Sequence, residues 1–155
     1  MKKIVFILTL LLLIGCKSKN GVAKSEASKT TKVAITEINE TQKSKVTAIG
    51  KQILMTCNTS KFKPLTEKEA TLEVRKNMTI ERLTKTCLKF RLKYGDFVDL
   101  KFVEAHRIKK QNTTIYRYKA VYEKKIANKE LRVTVNQNDQ VTAINSKDWI
   151  DAFKI

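Results

Sequence analysis

From Ile38 onward, the spacing of hydrophobic positions changes from a helical period to a strand period. Ile38, Gln42, Val46, Ile49, Ile53 and Cys57 recur at intervals of four and three, with Leu54 alongside. This is one helix face, apolar except at Gln42. Gly50 lies inside it, at a cost of about 1 kcal/mol relative to alanine. Asn58-Thr59-Ser60 ends the helix, and Pro64 imposes an extended turn. Thr66-Glu67-Lys68-Glu69 has the form of a capping box, so a short helix is expected from there to Asn77. Thr79 can cap a third helix with the stripe Ile80, Leu83, Cys87, Phe90 and Tyr94, and Gly95 stands where such a helix should end. After Gly95 the period falls to two. Val98, Leu100 and Phe102 alternate with Asp99 and Lys101. Tyr116, Tyr118, Ala120 and Tyr122 alternate with Arg117, Lys119 and Val121. Leu131, Val133 and Val135 alternate with Arg132 and Thr134, and Val141–Ile144 begins a fourth strand running towards Trp149. Gln111-Asn112 and Asn136–Gln140 supply turns. Helices followed by strands in meander order predict an α+β domain, with N-terminal helices packed on one face of a four-stranded antiparallel sheet.

Two stretches precede this region. Lys17–Lys32 is mostly Lys, Ser, Thr and Ala without apolar periodicity, and reads as a flexible tether reaching roughly 20–24 Å. Its lysines are either a spacer's solvating charges or an attraction to an anionic leaflet. Met1–Cys16 opens with Lys2 and Lys3 and continues as an apolar run, Ile4–Ile14, broken only by Thr9. As a helix this run spans about 17 Å, short of the ~30 Å of a bilayer's hydrocarbon, so it reads as a signal segment. It ends in Leu13-Ile14-Gly15-Cys16, which resembles a bacterial lipobox. The resemblance implies that the Cys16 thiol receives a diacylglyceryl group and that the chain is cleaved before Cys16. The alternative is an ordinary secretory signal with a chance cysteine. The expected organisation is a signal peptide at 1–15, a lipidated cysteine and basic tether at 16–35, and a folded domain at 36–155. The expected address is the cell envelope, with a membrane partner held through Cys16. Lys17, not aspartate, follows the cysteine. By analogy with bacterial sorting, this points to the outer membrane facing the periplasm in a two-membraned cell.

Three segments carry a second resemblance: FRLKYGDF at Phe90–Phe97, IYRYKAVYEKK at Ile115–Lys125, and LRVTVNQNDQVTAINSKDW at Leu131–Trp149. With the helices before them they resemble uncharacterised bacterial secreted and lipoprotein domains of the nuclear transport factor 2-like superfamily, which has a cystatin-like fold. The resemblance implies a curved sheet wrapped round a long helix into a cone, often with a pocket at its open end. That fold hosts enzymes, ligand binders and interaction modules alike.

Charge changes the picture next. The formal net charge is +17, and loss of Lys2 and Lys3 with the signal would reduce it by two. Such a chain is drawn to anionic surfaces. Lys101, Arg117, Lys119 and Arg132 share the outward sheet parity. They form either an anion-docking face for envelope polymers or a plain solvated face. The same charges argue for a monomer over a sheet-to-sheet dimer, and nothing marks a specific nucleic-acid reader. On the inward parity, Phe90, Leu100, Phe102, Tyr116, Tyr118, Tyr122 and Val133 either line a ligand pocket or are core. Cys57 and Cys87 lie on apolar helix faces and are either a disulfide or two buried thiols. One histidine and no clustered cysteines leave no metal site and call for no cofactor. Asp99 and His106 are the candidates for an acid–base pair. The first points away from the cone and the second sits near a strand end, so no catalytic residue is assigned. A non-enzymatic module binding a ligand or protein partner is the leading expectation. A small-molecule enzyme and an envelope-adhering basic module are the alternatives.

Overall fold

The computed structural model describes residues 30–155. Cys16, the signal segment and most of the tether lie outside the described residues. The elements run β1 (Thr30–Lys32), a 3-10 turn (Ile35–Glu37), α1 (Glu40–Thr59), α2 (Leu72–Asn77), α3 (Ile80–Tyr94), β2 (Phe97–Ile108), β3 (Thr113–Tyr122), β4 (Lys129–Val135) and β5 (Val141–Asp148). All neighbouring strands are antiparallel, in the order β1-β2-β3-β4-β5. The fold is α+β, with five strands where the periodicity predicts four. The extra strand is β1, drawn from the stretch 16–35 read as tether. It pairs Thr30–Lys32 with His106–Ile108, and the next residue, Val33, is buried with its N–H on Ala105 O at 2.9 Å. Three residues reading Thr-Thr-Lys carry no alternation to detect.

α3 begins and ends where its sequence says, and α1 ends as expected but begins at Glu40, which leaves Ile38 in the turn before it. Asn39 Oδ1 accepts from Gln42 N at 2.9 Å at the start of α1, and Ser60 closes it in the left-handed region. Thr79 Oγ1 accepts from Arg82 N at the start of α3, and Gly95 ends it at φ 78°. Val46, Ile49, Ile53 and Leu54 of α1 are buried against the sheet. Gly50 faces the sheet among them. A Cβ there would stand 2.8 Å from Leu100 Cδ2 and 3.0 Å from Leu131 Cδ2, so the missing side chain is what lets the helix lie this close. A disulfide joins Cys57 of α1 to Cys87 of α3. Closing a loop of this length removes denatured-chain entropy worth about 3–4 kcal/mol.

Two local expectations change. Thr66-Glu67-Lys68-Glu69 closes a turn, not a helix. The Glu69 carboxylate accepts from both Thr66 N and Oγ1, and α2 starts only at Leu72. Ala70 meanwhile bridges to Val141, which the turn makes possible. In β2, register shifts fall between Phe97 and Asp99 and between Phe102 and Glu104. These bulges push Val98 and Val103 out to solvent, so Val98 leaves the face expected for it. The second bulge also puts Glu104 opposite Arg117 on the outer face.

Candidate functional site

The inner sheet face is mostly core. Leu100, Tyr116, Tyr118, Tyr122 and Val133 are buried, and Phe102 packs against them. Tyr116 donates to Gln42 Oε1 at 2.6 Å, which explains the one polar break in the α1 stripe. Tyr118 OH pairs with Thr47 Oγ1 at 3.1 Å. Burial pushes the Tyr116 and Tyr122 phenols up to about 12, and raises Tyr118 as well. These hydroxyls stay protonated and structural. Of the seven residues considered for a pocket, Phe90 alone lines the cavity beside α2; Leu100, Tyr116, Tyr118, Tyr122 and Val133 fill the interior, with Phe102 half-buried against them.

That pocket lies between α1, α2, α3 and the β4–β5 edge, with a volume of about 430 Å³. Ile53, Leu83, Phe90, Leu131 and Ile144 form its walls, and the Cys57–Cys87 disulfide forms part of its side. Polar groups stand at the rim. Arg82 Nη1 donates to Asn77 Oδ1 at 2.6 Å, and Glu73, Thr86 and Ser146 are exposed beside them. Arg82 and Glu73, the ionisable residues of this lining, are solvent-exposed. Sequence periodicity marks Leu83, Phe90 and Cys87 as inward. It has no means of marking the gap, which arises because the short α2 leaves space between α3 and β5.

The outer sheet face differs most from expectation. Arg117 and Arg132 point outward as their parity requires, yet both are buried. Arg117 Nε donates to Glu130 Oε2 at 2.6 Å, and its Nη1 to Glu104 Oε1 at 2.9 Å. Arg132 Nε donates to Glu130 Oε1 at 2.5 Å, and Lys32 Nζ pairs with Glu104 Oε2 at 2.9 Å. The chain after β5 covers this network. Ile150 O and Asp151 O accept from Arg117, and Lys154 O accepts from Arg132. Trp149 stacks on Arg117 at 4.0 Å and Phe153 on Arg132 at 4.5 Å. Lys119 is also drawn in. It donates to Asn128 Oδ1 and lies 4.4 Å from the Trp149 ring, and burial lowers its pKa. Lys101 alone of the four stays exposed. Arg117 and Arg132 of the expected anion-docking face therefore belong to an internal ion network. Alternation tells which side of a sheet a residue faces, and says nothing about a covering segment. The missed partners Glu104 and Glu130 had one signal: two arginines paired directly across β3 and β4 need acids nearby.

Asp99 and His106 do not meet. Asp99 pairs with Lys51 Nζ at 2.7 Å, which holds its carboxyl below the usual range. His106 is buried, stacked on Phe153 with ring centroids 3.7 Å apart. Its Nε2 is 3.3 Å from Glu104 Oε1, too poorly aligned for a hydrogen bond. Burial lowers the His106 pKa despite that carboxylate. Among the described residues no group of three or more His, Cys, Asp or Glu is placed to hold a metal. No family model, curated protein or solved structure matches the chain.

Proposed function

We propose that this chain is a non-catalytic, envelope-anchored module that takes a small, largely apolar molecule into the cavity between its helices and the β4–β5 edge. One observation carries the reading: the cavity walls are aliphatic and aromatic, while Glu73 and Arg82 stand exposed at the rim. An acid–base enzyme needs convergent ionisable groups within reach of substrate, and the two in this lining, Glu73 and Arg82, are exposed. A volume of about 430 Å³ suits a small-molecule pocket. The cystatin-like cone belongs to the same proposal. Its support is the order of helices before a meander sheet, with α1 lying on the inner face against β2 and β4. Attachment through Cys16 rests on Leu13-Ile14-Gly15-Cys16 alone.

The test uses N-phenyl-1-naphthylamine, an apolar dye that brightens out of water, together with native mass measurement for a co-purifying molecule. Ser146→Trp places an indole at the cavity mouth on an exposed position, so the fold should tolerate it. The wild type should bind the dye saturably, and the variant should lose about tenfold in affinity, the loss of about 1.4 kcal/mol. Equal dye binding by both proteins, with no co-purifying mass, defeats the cavity as the site.

A further inference from the structure

We infer that the outward face of α3 is a docking surface for an anionic phospholipid bilayer. Leu83, Cys87, Phe90 and Tyr94 turn α3 towards the core, and the opposite side carries Lys85, Leu88, Lys89 and Leu92. Leu88 is 62% exposed and Leu92 is 72% exposed, one helical turn apart on one stripe. Both side chains are this open on a helix already anchored by its other face. The charges beside them are one-sided. Arg82, Lys85, Lys89, Arg91 and Lys93 stand against one acid, Glu81, within α3. Of these cations, Arg91 pairs with Asp96, whereas Lys85, Lys89 and Lys93 form no ion pair among the described residues. The β3–β4 turn extends the patch. Lys124 Nζ donates to Leu92 O at 2.9 Å, and Lys125 and the 71%-exposed Ile126 follow in the same turn.

Leucines projecting from a lysine-rich helix face match a surface with negative headgroups above a hydrocarbon layer. The ammonium groups meet the phosphates while the leucines enter the boundary beneath. A second copy of this chain would be a poor cover, because two α3 faces would bring their unpaired lysines together. The disulfide from Cys87 to α1 holds the inner side of the helix, so the outer side is presented without rearrangement. This surface is independent of the cavity proposal and of the Cys16 anchor. It also gives the net charge a site, now that Arg117 and Arg132 are spent inside the molecule.

The full chain is reconstituted in vesicles whose lipids carry bromine on their acyl chains. One set holds equal parts phosphatidylglycerol and phosphatidylcholine, the other phosphatidylcholine alone. Trp149→Phe removes the native indole and keeps a ring on Arg117. Leu92→Trp then supplies a reporter on α3, and Asn145→Trp supplies one on the exposed outer sheet face. The α3 reporter should lose about half its emission in the anionic vesicles, as expected at headgroup depth. The sheet reporter should lose little. Phosphatidylcholine alone, 1 M salt (a Debye length of about 3 Å), or Lys85→Glu with Lys89→Glu should each restore the α3 emission. The proposal is overturned if the two reporters are quenched alike in anionic vesicles. Equal α3 quenching in phosphatidylcholine alone also overturns it, because charge would then play no part. So does lipid-free shielding of the α3 reporter that grows with protein concentration, the sign of a second copy on that face.

Discussion

Glu104 and His106 sit two residues apart on the outer face of β2 and answer burial in opposite ways. Burial alone would raise the Glu104 carboxyl, but hydrogen bonds from Lys32 and Arg117 outweigh it and hold the carboxyl down to about 2. For His106, burial disfavours the cation, and its pKa falls below the ordinary 6.5. Both shifts make acid destabilising. As pH falls through 6.5, the unfolded chain takes up a proton at His106 that the folded chain resists, so stability declines until the lower folded value is reached. Between 4.5 and about 2 the unfolded chain protonates Glu104 while the folded chain keeps it ionised. That second loss is on the order of 3 kcal/mol. Urea midpoints from pH 7.5 to 2.5 should therefore fall in two stages, and His106→Gln should erase the upper one. A wild type that is flat between pH 7 and 5 would show that His106 does not titrate against the fold. Neither residue's environment was legible in the chain. Simple alternation puts residues 98, 100, 102 and 104 on one face, and the bulge at Val103 moves Glu104 to the other.

The element that decides the outer face is the segment Trp149–Ile155, which forms neither helix nor strand. It is held by Trp149 N on Asn128 O at 2.9 Å, by guanidinium donors on its carbonyls, and by two aromatic rings. Buried arginines with only two glutamates between them leave donors over, and those carbonyls take them. An uncovered network would face water, and an uncompensated buried charge is expensive. Trp149→Ala should therefore cost about 2–3 kcal/mol, combining lost burial with lost stacking on Arg117 and Lys119. Trp149→Phe should recover most of it. Denaturant midpoints at constant m measure the difference. A Trp149→Ala loss under about 0.5 kcal/mol would mean that the segment rests loosely on the sheet. Helices and strands were readable because each buries one face at a fixed period: α1 and α3 from their threes and fours, β3 and β4 from their twos. The covering segment WIDAFKI has no period. β1 is three polar residues long. The cavity is a gap between elements and leaves no mark on any one of them. For the two helix cysteines, the sequence placed both on buried faces and left open whether they pair; the structure joins them.

At the scale of the whole molecule, the described domain is one antiparallel sheet with helices on its inner face, and the proposed address rests on the N-terminal stretch. No helix among the described residues is long and apolar enough to cross a membrane. The proposed attachment rests instead on the thiol of Cys16, at the end of an apolar run bounded by Lys2 and Lys3. Thioether formation needs a sulfur nucleophile, since the thiolate, accessible from a pKa near 8.5, is the reactive form. A serine hydroxyl of nearly the same size cannot replace it. Cys16→Ser should therefore abolish incorporation of labelled fatty acid and shift the protein from membrane to soluble fractions. The domain from β1 onward should keep its far-UV circular dichroism and urea midpoint, because the strands, the helices and the Cys57–Cys87 disulfide that hold it lie within residues 30–155. Equal label in the wild type and the Ser variant would refute the lipobox reading. Loss of label together with loss of the folded signal would point to failed export rather than to a missing anchor. Attaching acyl chains to the folded domain by another route, such as a maleimide lipid on an added N-terminal cysteine, would then distinguish the two.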